Sequence, residues 1–171
     1  YQRSVFQSMK NSLNTSMRLL ERNMSRLEGK TREEARSAVS MRSKIEAILK
    51  RFTSRKIGAM RTRIHGDLHL GQALFSGNDF TLIDFEGEPA RPISSRRLKR
   101  SPLRDAAGMM RSFHYAAHAA LLKHPAVRPE DKDFLEPWAE TWYEYVSGKF
   151  LESYLSTVKG ACFLPGDGED L

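Results

Sequence analysis

The sequence predicts a mainly helical protein with one small β-hairpin, an α+β fold. Apolar residues recur at steps of three and four over most of the chain, which is the period of a half-buried helix. Between Arg61 and Ile83 this pattern gives way to short runs rich in β-branched and aromatic residues, and a turn segment, SGND, separates two of them. We expect residues 1–60 to form a helical hairpin, and residues 61–171 to contain polar functional loops followed by the C-terminal helices.

The N-terminal part predicts two helices. In residues 4–27 the apolar side chains lie on one helical face, and Gly29 is expected to end the helix. In the TREE segment, Thr31 and Glu34 have the spacing of a capping box, which predicts the start of the second helix there. The methionine-rich face predicts core packing rather than a membrane or partner-helix contact. The apolar positions of the first helix are Val5, Met9, Leu13, Met17, Leu20, Met24 and Leu27.

The central and C-terminal parts predict the hairpin, a basic surface segment and two further helices. QALFS and FTLIDF are the expected strands, and residues 91–104 form an irregular basic segment. DAAGMMRSFHYAAHAALLK predicts a strong helix with Asp105 at its start, where a carboxylate complements the helix dipole. The last helix, beginning with FLEPW, is expected to run to about Val158 with Pro137 in its first turn.

Composition restricts the classes of protein to consider. The 171 residues have a formal net charge of +7, which suits an anionic partner such as nucleotide phosphate, although the basic residues are too dispersed to identify one. Cys162 is the single cysteine, so an intrachain disulfide is excluded and a reducing compartment is favoured. The chain shows neither a signal peptide nor an apolar run of the roughly 20 residues that a membrane span requires. We therefore expect a cytoplasmic protein that binds neither membrane nor nucleic acid.

The segment IHGDLHLGQALFSGNDFTLIDFEGEP, residues 64–89, contains the side chains most suited to chemistry. Asp67 follows a histidine and a glycine, and a carboxylate on such a loop can accept a proton from a substrate hydroxyl. If the two strands pair, Gln72 and Asp84 meet at one end of the hairpin and offer oxygen ligands to Mg²⁺. This arrangement predicts a metal and phosphoryl-transfer site. The two histidines of HGDLH also suggest zinc, but no third ligand follows at a zinc-like spacing.

The ordered set HGDxHxxQ followed by IDFE resembles the catalytic and metal loops of the aminoglycoside phosphotransferase-like kinases, distant relatives of protein kinases. Those kinases usually have asparagine where this chain has Gln72. That departure, the continuation DFEGEPARP and the later KRSPLRDAAGMMRSFHYAA resemble maltokinase, which is often fused to trehalose synthase. The resemblance implies the C-terminal lobe of a protein-kinase-like fold, with the catalytic and metal loops in the second part of the chain.

The resemblance also implies roles for the central side chains. Asp67 corresponds to the catalytic base, and Gln72 and Asp84 correspond to the ligands of the Mg²⁺ that bridges the ATP phosphates. ATP and Mg²⁺ are therefore the expected co-substrate and cofactor.

Four further residues near these loops are expected at the site. His65 and His69 are assigned to the cofactor-binding surroundings, with His65 bracing the loop and His69 closer to the reacting groups. Glu86 is assigned to the cofactor and Glu88 to the substrate. Either glutamate can contact a second magnesium ion or a sugar hydroxyl, and a structural role in the turn is an open alternative.

The reaction implied by the resemblance is phosphorylation of the anomeric hydroxyl of maltose by ATP, which feeds maltose 1-phosphate into glycogen-type α-glucan synthesis and links it to trehalose use. Aromatic faces suit a sugar pocket, so Trp142, Tyr143 and Tyr145 are the expected sugar contacts, with core packing as the alternative.

Two rival functions are left open. One is a kinase of the same fold acting on an aminoglycoside, choline or another sugar. The other is a non-catalytic module that binds trehalose synthase. Because the N-terminal ATP lobe and the final helices of such kinases lack counterparts here, we expect this segment by itself to be inactive.

Overall fold

The computed structural model describes residues 1–165. The predicted combination is confirmed: the described chain is mostly helical and contains a two-stranded antiparallel sheet. Its backbone divides into two compact units, Tyr1–Ile57 and Gly58–Leu171. Among the described helices, none combines the length and the apolar character that crossing a membrane requires.

The first unit contains three helices where the sequence predicted two. Met17 and Ala35 are its buried apolar residues, and α1 packs against both α2 and α3. The backbone bends at Met41, which ends α2 and precedes α3. The helices are α1 (Gln2–Asn23), α2 (Gly29–Ser40) and α3 (Arg42–Arg51), with a short 3-10 helix at Met24–Arg26.

The predicted boundary between the first two helices is wrong. Gly29 begins α2 instead of ending α1, because helical bonding starts when the Arg32 amide donates to the Glu28 carbonyl at 3.3 Å. Thr31 and Glu34 therefore lie inside α2, and the expected capping box does not form. A capping box satisfies free amides of a first turn, and these two residues come too late in the helix to do so.

The hairpin and the helices of the second unit follow the predicted order. Strand β1 (Ala73–Phe75) pairs with β2 (Phe80–Leu82) in antiparallel register, Leu74 opposite Thr81. The segment before the hairpin, residues 62–67 (TRIHGD), does not form a strand; within it only Thr62 pairs, in an isolated bridge with Arg100. The helices are α4 (Ile93–Arg96), α5 (Leu103–Lys123) and α6 (Lys132–Thr157), with short 3-10 helices at Leu70–Gln72 and Pro129–Asp131.

Helices α5 and α6 pack together and form the core of this unit. Residues at steps of three and four along α5 form one buried stripe, and Phe113 within it meets Phe150 of α6 edge-on at 5.5 Å. Helix α6 begins at Lys132, earlier than predicted, because the preceding 3-10 turn leads directly into it. Pro137 consequently lies in the second turn rather than the first. The buried stripe comprises Ala106, Met109, Phe113, Ala117 and Leu121.

The neighbouring leucines of α5 provide a matched test of this core. Leu121 is 8% exposed and Leu122 is 61% exposed. We expect Leu121→Ala to lower the free energy of unfolding by about 2–4 kcal/mol, because it leaves a cavity, and Leu122→Ala by less than about 0.5 kcal/mol. Urea unfolding followed by tryptophan fluorescence measures this, since both tryptophans of the chain, Trp138 and Trp142, lie on α6. Equal losses for the two variants would contradict the assigned core.

Candidate active site

Helix α5 holds the HGD loop, residues 65–70, through side chains that accept hydrogen bonds from the loop backbone. The Asp105 carboxylate accepts the amide hydrogen of His65 at 2.7 Å and that of Gly66 at 2.9 Å. Two turns further along the helix, the Ser112 hydroxyl accepts the amide hydrogen of Leu70 at 2.9 Å. Hydrogen bonds to a charged acceptor are the stronger kind, so Asp105 is the main anchor of this loop.

Between these two anchors the loop lies directly on the helix. A Cβ atom at Gly108 would stand 2.7 Å from the Leu68 carbonyl oxygen, closer than real contacts allow. Asp105, Gly108 and Ser112 follow one another at steps of three and four, so they share a face of α5. Burial raises the pKa of the Tyr154 hydroxyl of α6, and the charge of Asp105 raises it further.

His65 connects the HGD loop to the DFE loop, residues 84–88. Its buried ring places Nε2 2.7 Å from the Ile83 carbonyl oxygen, while Nδ1 lies 3.4 Å from the Asp67 amide nitrogen. A carbonyl oxygen only accepts, so Nε2 bears the proton and Nδ1 accepts from Asp67. The Phe85 ring packs at 4.9 Å from the imidazole. Both ring nitrogens are thus engaged within the protein, which is the geometry of a bracing residue.

The basic segment supports the DFE loop from the other side. Gly87, with a φ of +78°, brings its backbone against His65, and its missing Cβ would lie 3.4 Å from the His65 carbonyl oxygen and 3.6 Å from Arg96 Cβ. Arg96 also donates to the Glu86 carbonyl at 3.3 Å, and Arg100 pairs with Thr62 through the backbone. Arg96 therefore contacts the DFE loop through its side chain, and Arg100 joins the segment before the HGD loop through its backbone.

The hairpin brings the two expected metal ligands together. Gln72 Nε2 donates to Asp84 Oδ2 at 3.0 Å, and the Ile83 amide donates to the Gln72 carbonyl at 3.0 Å, which extends the strand pairing to this end. His69 lies beside them: its Nδ1 accepts from the Gly71 amide and its Nε2 stands 3.5 Å from Gln72 Nε2.

Asp84 adopts an unusual backbone conformation. Its φ is +63°, and within residues 1–165 no other non-glycine residue has a positive φ. Side chains with a Cβ adopt this region at a cost of about 1–3 kcal/mol, and aspartate tolerates it better than most. Strained residues cluster at functional sites, so the conformation fits a residue placed for chemistry rather than for stability.

Asp67 lies at an open cleft of about 700 Å³ between the HGD loop and α5. Glu88 of the DFE loop lines the same cleft, as do the basic Arg104 and Arg111 and the ring of Tyr115. Arg111 stacks over that ring at 5.5 Å. The cleft is thus lined by three carboxylates, since Asp105 also lines it, and by two guanidinium groups, a combination that suits a polar ligand bearing phosphate or hydroxyl groups.

Of the expected site residues, Asp67, His69 and Glu88 line this cleft, whereas the Gln72–Asp84 pair and the remaining ones do not. Glu86 lines a separate depression with Arg63 and Arg97. Of the aromatic residues on α6, Trp142 lines a groove against α5, and Tyr143 packs edge-on against His114 at 5.0 Å. Tyr145 is 67% exposed. In the described part of the chain, none of these four residues lines the Asp67 cleft; their predicted contacts with cofactor or sugar stay predictions.

The sequence did not reveal the residues that position the HGD loop. Asp105 was expected to stabilise its own helix, whereas its carboxylate bonds to a loop about 40 positions earlier. Gly108 and Ser112 were not selected. The signal that identifies them is the spacing of a carboxylate, a glycine and a hydroxyl along one helical face, which becomes informative only when the helix is known to pack on the loop.

Comparisons with known proteins point to sugar-phosphorylating enzymes. No model of a protein family matches the chain. A glucosamine kinase from Streptacidiphilus jiangxiensis is 26% identical over 95 residues, which are 56% of this chain and 20% of the relative. A glucosamine kinase from Mycolicibacterium smegmatis is 40% identical over 58 residues, 34% of this chain and 14% of the relative. These relatives support the expected kinase-like superfamily without supporting maltokinase in particular.

Solved structures of glucosamine kinases share the fold. One, in complex with glucosamine, ADP and inorganic phosphate, has a TM-score of 0.66 at 18% identity and covers 93% of this chain and 37% of its own. A second has a TM-score of 0.65 at 20% identity and covers 90% of this chain and 34% of its own. The chain therefore spans about a third of the solved structures and a fifth or less of the curated relatives that it matches.

Two helical glycines test the contact between α5 and the HGD loop. Gly108→Ala forces a Cβ against the Leu68 carbonyl, whereas a Cβ at Gly148 of α6 meets nothing within 4 Å. We expect Gly108→Ala to destabilise the protein by about 1–3 kcal/mol, as overpacking does. Gly148→Ala should stabilise it by up to about 1 kcal/mol, because alanine is the better helix former. Urea unfolding measures both changes; stabilisation by Gly108→Ala would show that the loop does not pack as described.

Proposed function

We propose that this chain contributes the base and metal ligands of an ATP-dependent sugar kinase and forms part of its C-terminal lobe. The observation that supports the proposal best is the 3.0 Å contact between Gln72 and Asp84. Asp67 of the HGD loop and Glu88 of the DFE loop line one cleft. The glucosamine kinase relatives support the same reaction class. Expression in the cytoplasm would suit such an enzyme, and that location stays a prediction.

The chemistry of Gln72 and Asp84 fits a magnesium ion. A side-chain amide oxygen and a carboxylate are hard ligands of the kind Mg²⁺ prefers, and Mg²⁺ commonly uses only one or two protein ligands together with phosphates and water. In the present geometry the amide nitrogen of Gln72 faces Asp84. Binding of the ion requires rotation of that amide so that Oε1 replaces Nε2, an exchange that leaves the backbone unchanged. The ion, when bound, would neutralise charge on the ATP phosphates.

Asp67 is the proposed base. In phosphoryl transfer the protein mainly positions the reactants, so a base needs to orient the acceptor hydroxyl and accept its proton as the new bond to phosphorus forms. The Asp67 amide is held by His65, and the loop is fixed at both ends by Asp105 and Ser112. The carboxylate is therefore presented from a rigid backbone at the cleft.

Glucosamine is the acceptor that we favour. The two sequence relatives described above are glucosamine kinases, and Glu88 lines the cleft beside Asp67, where a carboxylate can pair with an ammonium group. Maltose, the acceptor implied by the DFEGEPARP segment, is neutral and has no need of that charge. The comparisons support neither maltose nor a trehalose synthase partner. Maltose is therefore kept only as the alternative acceptor in the assay.

Replacement of the base tests the reaction class. In the full natural chain we expect Asp67→Asn to lower kcat by at least about a hundredfold, because the amide cannot accept the proton, while the fold is retained. ADP release with Mg-ATP is measured against glucosamine, N-acetylglucosamine, glucose, maltose, kanamycin and choline. Turnover with glucosamine but not its N-acetyl form supports the amino sugar; turnover with maltose reinstates the alternative. Full activity of the variant would refute the role of Asp67.

Replacement of the amide ligand tests the metal role. We expect Gln72→Ala to raise the Mg²⁺ concentration for half-maximal activity by at least about tenfold, since one ligand is lost. Asn78→Ala, in the exposed hairpin turn, is the matched control and should leave the magnesium dependence unchanged. An identical magnesium titration for Gln72→Ala and the unmodified chain would remove this residue from the metal site.

A further inference from the structure

We propose that His114, His118 and Glu140 form a binding site for a transition-metal ion of the zinc class. The two histidines lie one turn apart on α5, with ring centroids 4.3 Å apart, and Glu140 lies on the facing helix α6. His118 Nε2 stands 3.7 Å from Glu140 Oε2. One potential ligand atom from each of the three side chains lies within 4.8 Å of the other two.

These separations are close to those of a formed zinc site. Zinc bonds of about 2.0 Å in tetrahedral geometry place ligand atoms about 3.3 Å apart. The widest separation, at most 4.8 Å, therefore has to shorten by no more than about 1.5 Å (4.8 − 3.3). The side chain of His118 is 28% exposed and that of Glu140 is 49% exposed, and His114 is exposed, so rotation of side chains achieves this without moving a helix.

The ligand set selects the class of metal. Two imidazoles and one carboxylate suit Zn²⁺, and also Co²⁺ and Ni²⁺, whereas Mg²⁺ prefers oxygen ligands alone. Three protein ligands leave a coordination position for water or another small ligand. Tyr143 packs edge-on against His114 at 5.0 Å and restricts the orientation of that ring, as outer residues of metal sites do.

The proposed site is distinct from the proposed magnesium site and does not depend on the proposed function. In the described chain, none of its three residues lines the Asp67 cleft. It is connected to that cleft through α5, because Ser112, two residues before His114, accepts the Leu70 amide of the HGD loop. A metal ion here would cross-link α5 to α6 and stabilise the helix that holds the loop.

The test is metal binding by the tag-free full natural chain with magnesium present in excess. Zinc affinity is measured by calorimetry, and Co²⁺ supplies an absorption spectrum that reports its ligands and geometry. We expect Glu140→Gln and His118→Gln each to weaken zinc binding at least about tenfold and to change the cobalt spectrum. The control is His124→Gln at the exposed end of α5, which should retain the affinity of the unmodified chain.

The outcomes are decisive in either direction. Loss of affinity in the two ligand variants with retention in His124→Gln supports the site, as does a rise in Tm with zinc that these two variants abolish. An unchanged cobalt spectrum in Glu140→Gln, absence of any such spectrum in the unmodified chain, or an equal loss in His124→Gln overturns it. Circular dichroism without zinc verifies folding; if His118→Gln does not fold, the conservative change at Glu140, which lies at the surface, decides.

Discussion

The interaction on which the candidate site depends is the pair of hydrogen bonds between the Asp105 carboxylate and the backbone of the HGD loop. They join residues about 40 positions apart, at 2.7 and 2.9 Å, and fix the start of the loop on the first turn of α5. Because a buried or half-buried amide without an acceptor costs about 1–3 kcal/mol, removal of this carboxylate would release the loop backbone rather than a single contact. The positions of His65 and Asp67 follow from it.

His65 connects the HGD loop, which Asp105 anchors, to the DFE loop. Its ring accepts from the Asp67 amide and donates to the Ile83 carbonyl, so the tautomer and the separation of the two loops are determined together. The hairpin in turn positions Gln72 beside the start of the DFE loop, since the Ile83 amide donates to the Gln72 carbonyl. Asp84 is the next residue after Ile83. It has the strained backbone conformation, and its carboxylate lies beside the side-chain amide of Gln72. Asp67 and the Gln72–Asp84 pair, the proposed base and metal ligands, are thus related through a continuous series of hydrogen bonds between side chains and backbone. Such fixed positioning suits phosphoryl transfer.

Helix α5 has three functions on three faces. One face, with Asp105, Gly108 and Ser112, receives the HGD loop; the buried stripe containing Phe113 packs against α6; and His114 with His118 forms the proposed metal site. A helix that is fixed in the core can present side chains to a loop with little freedom, so the packing between α5 and α6 contributes directly to the precision of the cleft. The same packing places Glu140 within reach of His118.

The sequence by itself determined the features that depend on local spacing. Helical periodicity predicted α5 and α6, turn residues predicted the hairpin, and strand pairing then placed Gln72 beside Asp84, because the register of a short hairpin follows from its turn. Tertiary structure decided the rest. Three features depend on which elements pack together: the use of Asp105 by a distant loop, the close approach of Gly108 to that loop, and the meeting of the His114–His118 pair with Glu140. No fixed spacing in the sequence encodes such contacts, because the residues belong to elements whose mutual position is set by burial of apolar surface rather than by local pattern.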